Sequence, residues 1–120
     1  MRNSPPSEDL INIINMPQFE GKITYLQGSP LNTSDLIRCQ ADQAHCCIIL
    51  ANQFSQAPQI EDYRNILNAF AVKKFVRMHN NTNLRICLQI VKPQHKELYY
   101  SGVTQACETD QVLCVEELKL

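Results

Sequence analysis

The stretch CCIILANQF, residues 46–54, decides the fold. Its apolar run shows little of the in–out alternation of a half-buried strand, and a turn residue, Asn52, ends it. A short continuous apolar run of this kind suits a strand covered on both faces, as in parallel sheets. LRICLQIV, residues 84–91, reads the same way. Between the two lies IEDYRNILNAFAVKKFVRM, residues 60–78, in which Ile60, Tyr63, Leu67, Phe70, Ala71 and Phe75 recur at helical spacing. Glu61 and Asp62 open that helix, and Lys73, Lys74 and Arg77 gather toward its end. Both placements complement the helix dipole.

Working outward, EDLINIINM (8–16) carries Leu10, Ile13 and Ile14 on one helical stripe and stops at Pro17. KITYLQG (22–28) alternates and closes on Gly28, which predicts a short strand. NTSDLIRCQA (32–41) predicts a helix with Asn32 as N-cap and Asp35 in its first turn. HNNTN (79–83) breaks the long helix. PQHKELYYSG (93–102) has Pro93 at a helix start and Gly102 where a helix stops. VTQAC (103–107) is the expected last strand, and a last helix is expected from Thr109 or Asp110 onward. Four strands alternating with about five helices predict an α/β fold, a parallel sheet with helices on both faces and right-handed crossovers. Cys46, Ile48, Ile49, Leu50, Ile86, Leu88 and Ile90 are the expected buried residues of its adjacent inner strands.

At 120 residues the chain holds at most one domain. A formal net charge of −1 with 19% charged residues gives no electrostatic reason to expect nucleic acid as a partner. No apolar run reaches the roughly 20 residues a membrane span needs, and MRNSPPSEDL lacks the apolar core of a signal peptide. The expectation is a soluble segment without direct membrane insertion. None of the six cysteines makes a Cys-x-x-Cys pair, so reduced core thiols are expected. Gly21, Gly28 and Gly102 never approach the spacing of a dinucleotide or P-loop fingerprint. His45, His79 and His95 are scattered and read as surface or strand-edge residues; Glu116 and Glu117 read as a solvated helix face. The sequence alone gives an enzyme reading little support.

YLQGSPLNTSDLIRCQADQAHCCIILANQF (25–54) resembles the regulator-of-potassium-conductance (RCK) domain of Slo-type potassium channels. There a strand ends in Gln-Gly, a helix with an Asp-Leu pair follows, and an Ala-Cys-x-Ile-Leu strand comes next. IEDYRNILNAFAVKKF and LRICLQIVKPQHK look similar to the sodium-activated branch, CVEELKL to the calcium-activated one. The resemblance covers 18–120, read as a partial RCK N-terminal domain behind a leader and first helix at 1–17. It implies a partial Rossmann-like parallel sheet with flanking helices, lacking the first βαβ unit. KITYLQ would then lack its neighbouring strands.

The resemblance also implies a non-enzymatic role: a regulatory gating domain at the cytoplasmic face of a membrane channel for potassium ions. Its implied partners are the rest of the channel subunit and other RCK domains in a tetrameric gating ring. No cofactor is certain; calcium or sodium is the implied gating ion. The competing reading is a small nucleotide- or ligand-binding Rossmann-like protein related to dehydrogenases. In calcium-activated relatives the loop after CCIILA is rich in acids, and the aspartate matching Asp62 contributes to a cation site, with Glu61 also matching an acid. Here Ala57 and Gln59 replace the earlier acids. Calcium wants six to eight oxygens, and adjacent helical residues point apart. So Glu61 and Asp62 are either stabilisers of the helix N-terminus or, in the case of Asp62, part of a weak or altered cation site completed from elsewhere.

Overall fold

A computed structural model describes residues 1–102 and 110–118. Its elements run α1 (Glu8–Ile14), α2 (Thr33–Arg38), β1 (Cys46–Ile49), α3 (Pro58–Met78), β2 (Arg85–Ile90), α4 (Lys96–Gly102), β3 (Gln111–Cys114) and α5 (Val115–Leu118), with single 3-10 turns between some of them. The strands form one parallel sheet in the order β1-β2-β3. The fold is α/β as expected, with three strands among the described residues where four were predicted.

The discrepancies have physical causes. Residues 22–28 do not form a strand; among the described residues their one ladder contact is a parallel bridge from Gln27 to Arg2. The Arg2 amide donates to the Leu26 carbonyl, the Gly28 amide donates to Arg2, and the Tyr25 hydroxyl donates to the Ser4 carbonyl. The segment thus pairs with the chain's own amino terminus, and an extended segment needs a full neighbour to become a strand. VTQAC lies outside the described residues. The helix expected from Thr109 or Asp110 begins later, at Val115, because QVLC is the third strand: it alternates, buries Val112 and Cys114, and pairs with β2. Four residues of this composition fit either element until a partner strand is present.

One face of the sheet is covered. Ile86, Leu88 and Ile90 point from β2 into a core shared with Ile66, Ala69, Val72, Phe75 and Val76 of α3, Tyr99 of α4 and Leu36 of α2. Burying each such aliphatic side chain contributes about 1.5–3 kcal/mol. The opposite face is open. Ile48 is 67% exposed, Leu50 is 71% exposed, and Cys46 is exposed as well. Among the described residues the expected two-sided cover therefore fails for β1, and Cys46, Ile48 and Leu50 are not core. Two right-handed crossovers stepping in one direction leave both helices on the same side, which is why α3 and α4 share that core.

The helix faces also differ from expectation. Ile60, Tyr63 and Leu67 are exposed, while Asp62, Asn65, Ile66, Ala69, Val72, Lys73 and Val76 face inward. Polar residues occupy three places on the buried stripe, and so the stripe is hidden from an apolar count.

Gly102 ends α4 where the ring of Phe70 lies close; a Cβ built there would come within 2.5 Å of the ring. Phe70 stacks on Tyr99 at 5.9 Å, which limits its retreat. Gly102→Ala is expected to cost roughly 1–3 kcal/mol by overpacking. Thermal unfolding checks this, and Phe70→Leu in the same chain should recover part of the loss. Equal melting of Gly102→Ala and the parent would show that the ring yields freely.

Candidate functional site: the carboxyl edge of the sheet

In open α/β sheets ligands sit beyond the carboxyl ends of the strands. Here that edge is formed by the loop after β1, the start of α3, and the turn after β2. The loop is held by its own side chains. The Ala51 amide donates to Gln89 Oε1 (2.9 Å), Asn52 to Glu61 Oε1 (3.0 Å), Phe54 to Asn52 Oδ1 (3.0 Å) and Ala57 to Ser55 Oγ (3.2 Å). The Ser55 amide donates to the Asn52 carbonyl at 3.1 Å. Pro58 opens α3 and has no amide proton to offer. A phosphate-binding turn works by presenting free backbone amides; in this turn five of them already have acceptors inside the chain.

Asp62 stands at the centre of the edge and is fully buried. Its Oδ1 accepts from the Val91 amide at 2.7 Å, and its Oδ2 accepts from the Lys92 amide at 2.9 Å. His95 Nδ1 lies 2.6 Å from Oδ2, so the proton on that nitrogen faces the carboxylate. Asn65, one turn on, reaches the Leu50 and Gln89 carbonyls at 3.5 Å each. Glu61 points elsewhere, to Asn52 and, at 3.8 Å, to Arg64. The two predicted site residues therefore diverge, as neighbours on a helix must. Among the described residues no group of three or more His, Cys, Asp or Glu side chains could hold a metal ion.

His95 corrects the reading of all three histidines as surface or strand-edge residues: it is buried, bonded to Asp62, and 5.2 Å from the ring of Tyr63. Its sequence position carried no signal for this, because its partner lies 33 residues away.

A second polar cluster sits at the opposite, amino edge. Asp110 accepts from the Ile86 amide (2.9 Å) and the Tyr99 hydroxyl (3.1 Å), and pairs with Lys73 Nζ at 2.7 Å. Lys73 also donates to the Leu84 carbonyl at 3.3 Å. Lys73, read from the sequence as one of three bases suiting the helix end, is thus also a buried ion-pair member. Glu116 and Glu117 do lie on an outer face, paired with Lys92 at 2.8 Å and Lys96 at 2.6 Å.

Burial pushes the Cys47 thiol from its ordinary 9.0 up to about 11, and the neighbouring Cys46 and Cys39 add to this. Tyr99 is raised too, by burial first and then by the charge of Asp110. Both folded groups hold their protons above the pH at which the unfolded chain releases them. The stabilisation from Tyr99 is present below about pH 10, and that from Cys47 below about pH 9, where the free groups ionise. The latter is lost as pH climbs toward 11, the folded value of Cys47. The melting temperature is expected to hold between pH 7 and 8.5 and to fall above roughly pH 9, with Cys47→Ala removing the first part of the fall. A flat profile to pH 11 in the parent chain would contradict the burial of both groups.

The calcium-activated potassium channel slowpoke-like RCK domain family matches residues 1–100. Potassium channel subfamily T member 1 of human and of chicken are each 32% identical over 107 residues, 89% of this chain and 8% of the relative. The fruit-fly calcium-activated potassium channel slowpoke is 29% identical over 100 residues, 82% of this chain and 8% of the relative. The chain therefore spans under a tenth of the length of these relatives. In fold it is similar to the human SLO3 gating ring, with a TM-score of 0.77 and 24% identity, covering 98% of this chain and 20% of that one. With its parallel sheet, its closed carboxyl edge and this match over most of its length, the chain belongs to the slowpoke-like RCK domain family.

Proposed function

We propose that the chain acts as a regulatory, non-enzymatic gating module of a potassium channel, working beside further RCK domains in a ring at the cytoplasmic face of a membrane. Family membership supports this, as do the relatives' names and the likeness of fold to a gating ring. The observation that carries it is the bonded carboxyl edge: after β1, where an open α/β sheet can receive a ligand, the amides of Ala51, Asn52, Phe54 and Ala57 are bonded by the chain's own side chains. With these amides occupied and no glycine-rich turn in the sequence, the edge offers little of the amide cradle a pyrophosphate needs. No helix among the described residues is long and apolar enough to cross a membrane, so conduction would belong to other parts of a channel.

A gating ion acts by binding one arrangement of the ring more tightly than the other. Calcium and sodium are the two candidates. In this reading Asp62 and Glu61 serve the fold: Asp62 clasps the turn after β2 and Glu61 clasps the loop after β1. To coordinate an ion, Asp62 would have to release up to three donors at once. Asp62→Asn in the intact channel distinguishes the roles. Fewer channels with unchanged calcium and sodium dependence of opening are expected. A shifted ion dependence at normal channel number would make Asp62 a ligand.

A further inference from the structure

The open face of the sheet carries two thiols on neighbouring strands. Cys46 opens β1 opposite Arg85, and Cys87 stands two residues further along β2, opposite Ile48. Side chains two apart on a strand share a face, so Cys46, Ile48, Arg85 and Cys87 project to the same side. Cys46 is exposed and Cys87 half-buried, and both are free thiols. Partial burial, and then the neighbouring Cys46, pushes the Cys87 thiol up, while Arg85 pulls it down. The register therefore sets the two thiols diagonally across neighbouring strands on one face, with Arg85 directly opposite Cys46.

The spacing is wrong for a disulfide. A diagonal pair on adjacent parallel strands has Cα atoms roughly 8 Å apart, beyond the ~7 Å a disulfide bridges without backbone movement. Two metal–sulfur bonds laid end to end, at roughly 2.3 Å each, reach much further than one sulfur–sulfur bond of ~2 Å. Zinc wants four ligands, and among the described residues no group of three or more His, Cys, Asp or Glu could hold a metal ion. Two thiolates and nothing else suit a soft, closed-shell monovalent cation that accepts linear two-coordination, the copper(I) class.

We propose that Cys46 and Cys87 form a two-thiolate site for one such cation on the open sheet face. Both thiols lose their protons, two sulfur–metal bonds form, and no electron is transferred. The bound unit carries one negative charge, which faces the Arg85 guanidinium. This site stands apart from the carboxyl edge and does not rest on the gating role.

Silver(I), which is redox-inert toward thiols, is the probe, with copper(I) buffered by bathocuproine disulfonate as the second. The chain is reduced and kept without oxygen. Native mass spectrometry is expected to show one silver ion retained and two protons lost. Iodoacetamide should then spare Cys46 and Cys87 together while still alkylating Cys39. Cys46→Ser and Cys87→Ser should each weaken retention by roughly 10²–10⁴-fold, the loss of one arm of a bidentate grip. Arg85→Gln should weaken it roughly two- to fivefold, as an exposed charge does. Retention by the double serine variant, protection of one thiol alone, or protection centred on Cys39 and Cys47 would overturn the proposal. So would a Cys46–Cys87 disulfide formed in preference to metal binding. The protection pattern is read in the parent chain and stays decisive even if a serine variant unfolds.

Discussion

Asp110→Ala is expected to destabilise the chain by about 3–5 kcal/mol, the range for breaking a buried ion pair from one side. The size follows from what the carboxylate holds. Its loss leaves buried Lys73 Nζ with, among the described residues, the Leu84 carbonyl alone, and leaves the Ile86 amide and the Tyr99 hydroxyl without their acceptor. A small domain has only about 5–15 kcal/mol in all, so the variant should be largely unfolded by mild urea. Replacing both partners, Lys73→Met with Asp110→Asn, removes the orphaned charge and retains an oxygen for the Ile86 amide. That double variant should recover most of the loss, since apolar replacement of a buried pair is often neutral. Urea denaturation of the three chains checks the cycle. If the double variant is no better than Asp110→Ala, the charge of Lys73 is not what makes the single change costly.

Asp62→Ala is the second large effect, expected at about 3 kcal/mol or more. Each buried donor left without an acceptor costs roughly 1–3 kcal/mol, and the Val91 amide, the Lys92 amide and His95 would all lose theirs. Asp62→Asn keeps one oxygen and turns an amide group toward a donor, so it should cost less than alanine and more than nothing. Hydrogen exchange locates the damage: the Val91 and Lys92 amides should lose protection before the Ile86 and Leu88 amides do. Uniform loss across β2 would mean that Asp62 supports the whole sheet and not one turn.

The strand–helix–strand unit was legible because its signals are local. CCII is apolar throughout, RICLQI is apolar apart from Arg85 and Gln89, both are bounded by turn residues, and the helix between them has acids first and bases last. The Asn32 cap was legible for the same reason, and its side chain accepts from the Ser34 amide at 3.0 Å. What failed depended on neighbours. Residues 22–28 alternate like a strand but have only Arg2 to pair with. QVLC needed β2 beside it to be read as β3. The polar stripe of α3 needed the ends of β2 in place before Asp62, Asn65 and Lys73 could be recognised as buried. Of the candidate site, Asp62 was named from the resemblance, while its partners lie about 30 residues away on another element and leave no trace at its own position.

The two polar clusters have a mechanical consequence when taken as a pair. Asp62 and Lys73 are eleven residues apart on α3, roughly 16 Å along a helix axis. The amides they serve, directly at Val91 just past β2 and through Asp110 at Ile86 near its start, are five residues apart, roughly 17 Å along extended chain. The helix is buttoned to the strand at both ends by fasteners of matching pitch. Sliding α3 by one helical turn, about 5.4 Å, would open both fasteners together, and neither has a second buttonhole at that distance. A push delivered to the first turn of α3 therefore cannot be absorbed as slippage over the sheet. It travels the length of the helix as the displacement of a stiff rod, and arrives beside Asn81, whose side chain is bonded to the carbonyls of Asp42 and Ala44 just ahead of β1.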